Sequence, residues 1–267
     1  MFYSDKFWGS LRGVVNCLLV VYMLAPLVVV LVISFSSALF LSFPPPGFSM
    51  QWYDKMFSNP TWTRSLITSV KIMVPAAILS TIFGTAAALA LSKMKSKWSV
   101  FIRGLLMAPL IIPVIITAAA IFGVFRIWGL YGNLQGLIIA HVVLTLPYVM
   151  STVSANLVMF DTRLEDAAAN CGATPWMTFR RVTLPLISPS VLSGLLFAMV
   201  ISFDELVVSL FLSTPQVRPV TVQMWSNIKG DTDPTIAAIA TALFLFSLLA
   251  LLVDGIARRR SGRAPGL

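Results

Sequence analysis

The passage Asp161–Pro189, DTRLEDAAANCGATPWMTFRRVTLPLISP, is the longest polar stretch of a very apolar chain, and the rest of the chain is organised around it. Thr162 and Glu165 have the spacing of a capping box, in which two side chains satisfy backbone amides at a helix start. Gly172 predicts the end of this helix, because glycine tolerates the left-handed conformation usual just past a helix C-terminus. Small apolar residues recur at helical spacing between these signals. Together they predict a short amphipathic helix.

A second short helix is predicted directly after the first. Thr174 suits the N-cap position and Pro175 suits the first helical position. Leu184-Pro185 predicts the end of this helix, since proline breaks the helical hydrogen-bond ladder. Pro189 then precedes a long apolar run. The passage therefore predicts a helical elbow held between two hydrophobic segments.

The elbow also carries a family resemblance, through an acidic residue, two alanines, a glycine, a β-branched residue and Leu-Pro at fixed spacing. These positions are Asp166, Ala167, Ala168, Gly172, Val182, Leu184 and Pro185. The pattern resembles the EAA loop of permease subunits of bacterial ABC importers, with aspartate where the family usually has glutamate. The resemblance implies that residues 159–189, Glu165 included, form a cytoplasmic coupling loop that docks into a separate ATP-hydrolysing subunit. The alternative is an ordinary amphipathic cytoplasmic hairpin.

The composition is that of an integral membrane protein. Hydrophobic residues make up 58% of the 267 positions and charged residues only 11%, whereas about 25% is usual in soluble domains. The net charge of +9 comes from basic residues scattered between apolar runs, so no nucleic-acid surface is expected. Cys17 and Cys171 form neither a disulfide framework nor a zinc motif.

Six apolar runs are long enough to cross the hydrocarbon core as helices. We place these spans at about 14–35, 66–91, 101–125, 137–158, 190–212 and 236–256. The first run exceeds the 7 to 15 apolar residues of a signal peptide and is therefore expected to be an uncleaved span. Pro109 and Pro113 predict a kink in the third span, either lining a cavity or serving helix packing alone.

The basic residues orient these spans. If both termini and the elbow lie on one side, that side carries 13 lysines and arginines against six on the other. The positive-inside rule then places the termini and the elbow in the cytoplasm. We thus expect a cytoplasmic N-terminus (1–13), one transmembrane domain (14–257) and a basic cytoplasmic tail (258–267).

Enzyme motifs are missing from the sequence. It contains neither a Gly-x-Ser-x-Gly elbow nor a His-Glu-x-x-His helix, and no metal site is expected from the single histidine, His141. We favour a hydrogen-bonded interior role for His141 over a proton relay. No phosphate-binding loop is present, so ATP hydrolysis would need a partner. A self-sufficient secondary transporter or channel is the main rival class, although repeated halves with broken helices are not evident.

Two neighbouring carboxylates interrupt the fifth span. Burying Asp204 and Glu205 in a membrane costs roughly 2.5 to 3.5 kcal/mol each on insertion scales, which implies a compensating use. We expect at least one of them to face a transport pathway and attract a cationic solute. The alternative is an internal ion pair, with Lys71 or Arg126 as the partner.

A second resemblance covers most of the chain from residue 14 onward. The segments that carry it are Ser202-Phe203-Asp204-Glu205, then Val207, Ser209 and Phe211, the loop Arg218-Pro219-Val220, and the Phe48-Ser49-x-x-Trp52-Tyr53 region. They resemble permeases of the spermidine/putrescine importer group, though importers of opines, iron and phosphonates share parts of them. The resemblance implies that Asp204 and Glu205 are pathway residues and that Trp52, Tyr53 and Trp225 lie in receptor-docking surfaces.

Taken together, we expect an all-α, six-span subunit with the type I ABC importer permease fold, in a bacterial cytoplasmic membrane. It would itself carry no cofactor. One copy offers too little surface to enclose a gated pathway, so we expect a second, homologous permease subunit. The resemblance further implies two ATPase subunits that bind ATP and magnesium, and an extracytoplasmic solute-binding protein. The expected substrate is a polyamine such as putrescine or spermidine.

Overall fold

The computed structural model describes the backbone of residues 2–230 and 233–261, and the side chains of residues 8, 12–230 and 233–256. Residues 262–267 of the predicted basic tail lie outside the described residues. The described chain is helical, and its helices are α1 (Phe2–Ser34), α2 (Gln51–Ser58), α3 (Pro60–Lys93), α4 (Trp98–Ile111), α5 (Val114–Ile127), α6 (Leu134–Leu157), α7 (Arg163–Asn170), α8 (Pro175–Thr178), α9 (Leu184–Asp204), α10 (Val207–Leu212), α11 (Val220–Lys229) and α12 (Thr235–Ser261). The only pairing of extended backbone among these residues is one bridge between Ser36 and Phe48.

In the part of the chain that the structure describes, five helices are long and apolar enough to cross a membrane, and the count is six if one bent pair is a single span. The bent pair is α4 with α5, and the chain bends by 106° between these two helices, at Pro113. Ile112, the residue before that proline, is extended, with ψ at 134°. Proline disfavours a helical conformation in the residue before it, so the sequence itself causes the break. The predicted kink is confirmed in position, and the bend is far sharper than a kink.

The chain divides into two compact units, Met1–Thr63 with Met224–Leu245, and Arg64–Gln223 with Phe246–Leu267. In the first unit, the segment Arg12–Ser34 of α1 is largely exposed, and only 6% of its most apolar part is buried. Such a helix needs lipid or another subunit to cover it. The loop after α1 is held by α2, where the Trp52 indole donates a hydrogen bond of 2.7 Å to the Ser36 carbonyl.

Close contacts between α3, α6 and α9 form the centre of the second unit. A Cβ placed on Gly84 of α3 would lie 2.9 Å from Val149 Cβ of α6, and one on Gly194 of α9 would lie 3.1 Å from Val149 Cγ1. Val149 is fully buried. Small residues at such crossings let membrane helices approach closely, so the three helices form a tightly packed bundle.

The fifth span differs from its predicted form at both ends. Its predicted start at 190 is wrong, because a continuous helix runs from Pro175 to Asp204 through a π-helical turn at Phe179–Thr183. Its predicted continuation to 212 is also wrong, because the helix stops at Asp204 and resumes as α10 at Val207. Glu205 between them is extended, with ψ at 114°.

Candidate functional site

The elbow begins differently from its prediction. Thr162 is already helical and makes no capping hydrogen bond through its side chain, so the predicted capping box is wrong. Instead the amide of Arg163 donates to Asp161 Oδ1 over 2.9 Å. The carboxylate of Glu165 turns away from the helix start toward other parts of the chain.

The end of the first elbow helix follows the prediction at Gly172. The φ of Gly172 is +83°, in the left-handed region that favours glycine. Its amide donates to the carbonyl of Ala169 over 2.9 Å, and the amide of Ala173 donates to the carbonyl of Ala168 over 3.0 Å. These two bonds form a Schellman motif, which fixes the corner between α7 and α8.

The second arm of the elbow starts as predicted and ends elsewhere. Thr174 Oγ1 accepts the amide of Met177 over 3.3 Å, and Pro175 occupies the first turn. The helix does not end at Leu184-Pro185. The amide of Leu184 reaches back five residues to the carbonyl of Phe179, which widens the turn just before the proline that cannot donate. The second arm thus continues directly into the fifth span.

The motif residues lie mostly on the outside of this elbow. Asp166, Ala167, Gly172 and Pro185 are exposed, and Ala168, Val182 and Leu184 are half-buried. Three apolar side chains beside them are also exposed, namely Leu164 at 46%, Trp176 at 69% and Met177 at 40%. Sequence reasoning missed Trp176 and Met177, although an aromatic residue on a short polar helix is a signal for a docking surface.

Glu165 is the exception, because its carboxylate faces the protein. Glu165 Oε2 accepts a hydrogen bond from Lys93 Nζ over 2.6 Å, and Glu165 Oε1 accepts one from Thr183 Oγ1 over 2.7 Å. Burial alone would raise the pKa of Glu165, but the hydrogen bonds from Lys93 and Thr183 and the charge of Lys93 lower it below its usual value. Glu165 therefore carries its charge at neutral pH.

The acidic pair lies at the break between α9 and α10, and its two members have different surroundings. Glu205 Oε1 accepts the amide of Val208 over 2.7 Å, which satisfies one of the free amides at the start of α10. The freed carbonyl of Glu205 accepts the Thr221 hydroxyl over 3.1 Å. Asp204 is exposed. Neither carboxylate forms an ion pair with Lys71 or Arg126 in the described part of the chain.

His141 connects the two sides of this break. Its Nδ1 lies 2.8 Å from Ser202 Oγ in α9, and its Nε2 lies 3.1 Å from Ser209 Oγ in α10. The ring is fully enclosed, with 2% of its surface exposed. Thr145 continues the network, donating to the His141 carbonyl over 2.7 Å. His141 is thus interior and hydrogen-bonded, as predicted.

The three residues predicted for receptor docking differ in how much of their surface is exposed. Trp52 is 5% exposed and donates a hydrogen bond to the loop after α1, and the Tyr53 hydroxyl lies 2.8 Å from Ser34 Oγ at the end of α1. Trp225 is 38% exposed, and Lys229 lies over its ring at 5.0 Å. Of the three, Trp225 alone offers a substantial surface.

An ion pair ties α2 to the start of α12 within the first unit. Lys55 Nζ lies 2.5 Å from Asp233 Oδ2. Burial opposes the ionised form of Asp233, yet hydrogen bonds from Lys55 and Thr235 and the charge of Lys55 outweigh it and lower the pKa of Asp233.

Among the residues that the structure describes, no group of three or more histidine, cysteine or acidic side chains could hold a metal ion. What the fold does define is a multi-span helical subunit with an exposed elbow on one side and an acidic break in a span. This is the architecture of a membrane transport subunit. The chain belongs to the family of binding-protein-dependent transport system inner membrane components, whose family model matches residues 80–262.

Two curated relatives extend the similarity over most of the chain. The spermidine/putrescine transport system permease protein PotC of Haemophilus influenzae is 31% identical over 252 residues, which cover 94% of this chain and 97% of the relative. The putrescine transport system permease protein PotI of Escherichia coli is 29% identical over 229 residues, covering 83% of this chain and 81% of that protein.

A solved structure supports the fold. A chain of a bacterial ABC transporter involved in the import of the acidic polysaccharide alginate superposes with a TM-score of 0.70 at 16% identity, covering 96% of this chain and 97% of the other. The chain is therefore an ABC importer permease subunit with the type I fold, and both relatives described above are named as polyamine permeases.

Proposed function

We propose that this permease subunit carries a small cationic solute of the polyamine class, and that Asp204 faces the solute. The observation that carries the proposal is the exposed carboxylate of Asp204 at a helix break, beside a neighbour, Glu205, whose carboxylate is already used to cap α10. A charged group on the surface of a membrane span is costly in lipid and stable in water. Because Asp204 is the last residue of α9, it belongs at the water-filled mouth of the solute pathway. The relatives named for spermidine and putrescine support a cationic solute.

The position of Asp204 along the span suits the entry of a cation. The 21 residues of α9 extend for roughly 30 Å, about the thickness of the hydrocarbon core. With the elbow in the cytoplasm, Asp204 lies near the extracytoplasmic end of the pathway. The bias of basic residues supports that orientation. A receptor on that side would release its solute next to a carboxylate.

The elbow is proposed as the contact with an ATPase subunit that binds ATP and magnesium. Leu164, Trp176 and Met177 expose apolar surface next to Asp166, and an exposed tryptophan on a polar elbow favours a protein partner. A complete importer would hold two such ATPase subunits, a second homologous permease and an extracytoplasmic binding protein. The exposed apolar surface of α1 leaves room for that second permease or for lipid.

Transport would follow alternating access. Nucleotide and loaded receptor bind the two states of the complex with different affinities and shift the population between them. In this scheme the permease supplies the pathway and its helices move as the elbow moves.

The test is uptake of labelled putrescine and spermidine at low external concentration, in cells with and without this protein and with its receptor present. We expect uptake that disappears both without the protein and after ATP depletion. Unchanged uptake in the deletion strain refutes the polyamine proposal, and opines, iron and phosphonates are then the solutes to screen. Uptake that survives ATP depletion instead points to a secondary transporter or channel.

A further inference from the structure

Two adjacent acids in the elbow have different environments. Asp166, the acidic position of the motif, is exposed. Glu165 has only 18% of its side chain exposed, and both of its carboxylate oxygens accept hydrogen bonds from within the chain. A contact with a separate subunit is open to Asp166, whereas Glu165 is occupied within this chain.

The partners of Glu165 come from two different spans. Lys93 is the last residue of α3, and Thr183 is the last residue of the π-helical turn that leads into α9. Glu165 itself lies in the first turn of α7. One carboxylate thus joins the elbow to the ends of the second and fifth spans. All three side chains line one open groove of about 470 Å³ beneath the elbow.

The two contacts of Glu165 differ in exposure. Thr183 is 2% exposed, so its hydrogen bond to Glu165 is shielded from water. The side chain of Lys93 is 62% exposed, and its ion pair is therefore weakened by salt. The lowered pKa of Glu165 keeps both contacts charge-assisted at neutral pH.

We propose that Glu165 is a positioning residue that fastens the first arm of the elbow, α7, to α3 and to the turn before α9, so that movement of the elbow is passed to α3 as well as to the span that continues from the elbow. The corner at Gly172 fixes the two arms of the elbow relative to each other, but it does not attach them to α3. Among the described residues, the hydrogen bond from Lys93 to Glu165 is the one side-chain hydrogen bond between α7 and α3. Without it, the first arm remains attached through its own two ends and its packing on the second arm. An elbow that pivots on those ends could follow the ATPase without moving α3.

This inference rests on the permease family and the elbow geometry, and it does not depend on the solute. The experiment uses the whole importer, reconstituted in lipid vesicles with its partner subunits and receptor. Glu165→Ala removes both contacts, whereas Glu165→Gln retains an acceptor for Thr183 and removes the charge. Lys93→Met removes the ion pair, and Lys95→Met is the matched control because Lys95 is an exposed lysine two residues away.

Three quantities are measured for each variant: copurification of the ATPase subunits, ATP hydrolysis without receptor, and putrescine uptake per ATP hydrolysed. We expect Glu165→Ala to assemble normally, to hydrolyse ATP at or above the wild-type rate, and to lose about tenfold in uptake per ATP. Glu165→Gln and Lys93→Met should each lower uptake per ATP about threefold, because an exposed ion pair contributes little. Lys95→Met should match wild type.

Reversal of the pair is the decisive variant. Lys93→Glu with Glu165→Lys restores the ion pair in the opposite sense and should recover part of the coupling that either single change loses. The inference is overturned if Glu165→Ala loses its ATPase subunits, because Glu165 then contacts the partner. It is equally overturned if uptake per ATP is unchanged. A wild-type complex that imports no putrescine refutes the solute proposal alone. The inference about Glu165 is then tested by the assembly and the receptor-independent ATP hydrolysis of Glu165→Ala. The variant must retain its ATPase subunits and hydrolyse ATP at or above the wild-type rate.

Discussion

Replacing Asp204 with asparagine should slow solute transfer into the pathway, whereas the matched change at Glu205 should not. An ammonium group about 4 Å from a carboxylate gains about 1 kcal/mol in water and about 4 kcal/mol at an effective dielectric constant of 20. Asp204 is exposed, so the lower figure applies. A loss of about 1 kcal/mol corresponds to roughly a fivefold change in an equilibrium constant.

The suitable assay is the initial rate of putrescine uptake at saturating loaded receptor. The receptor sets the solute concentration that half-saturates uptake, so that concentration says little about the pathway. We expect Asp204→Asn to lower the saturated rate about fivefold, and the difference from wild type to shrink at high salt, where exposed charges are screened.

Glu205→Gln is the control for this prediction. A glutamine oxygen can still accept the amide of Val208, so the cap of α10 is retained and the rate should stay within about twofold of wild type. Glu205→Ala removes the cap and should lower the amount of folded complex instead. The reasoning is refuted if Asp204→Asn leaves the rate unchanged, or if Glu205→Gln lowers it as much.

Four further predictions concern the scaffold. Gly172→Arg should reduce copurification of the ATPase subunits, because a left-handed conformation costs an L-residue about 1 to 2 kcal/mol, whereas Gly172→Asn should be milder. His141→Ala should lower the melting temperature of the purified complex, since it leaves buried hydroxyls unpaired at about 1 to 3 kcal/mol each. Gly84→Leu should also lower it, because a Cβ there already lies 2.9 Å from Val149, and Gly84→Ala should do so less. Folding lowers the pKa of Asp233, so its ion pair stabilises the fold at pH values above the unfolded pKa of 3.8, and this stabilisation is lost as the pH falls through the folded pKa. Asp233→Asn should therefore lower the melting temperature at pH 7 and weaken the decrease of the melting temperature below about pH 4.

Signals confined to a few neighbouring residues predicted the elbow corner well. Gly172, Thr174 and Pro175 act through backbone geometry and short-range hydrogen bonds, and all three occupy their predicted positions. The capping box failed because Glu165 has stronger partners in Lys93 and Thr183, which lie far from it in sequence. A local motif is a weak guide when a distant cation competes for the same carboxylate.

The break at Asp204 was beyond sequence reasoning for the same reason. Neither glycine nor proline lies between Asp204 and Val207, so no local signal stops the helix. The contacts that accompany the break are tertiary: Thr221 satisfies the freed carbonyl of Glu205, and His141 bridges the helices on either side. The sequence could single out the acidic pair because charge is costly in a span, but it could not show that Asp204 is exposed whereas Glu205 caps α10.

At Pro185 the sequence predicts a helix end where the helix in fact continues. This continuity bears on how movement is transmitted along the chain. Pro185 has no amide hydrogen to donate, and the wide turn at Phe179–Thr183 accommodates it within the helix. The second arm of the elbow and the fifth span therefore form one helix of 30 residues. A helix of that length extends for roughly 45 Å. One end carries the exposed Trp176, and the other ends at Asp204. We infer that movement at the elbow reaches the acidic break through a single continuous helix, while Glu165 carries the same movement to α3. The ratio of uptake to ATP hydrolysis in the Glu165 variants separates the two routes, because only the second is lost when Glu165 is replaced.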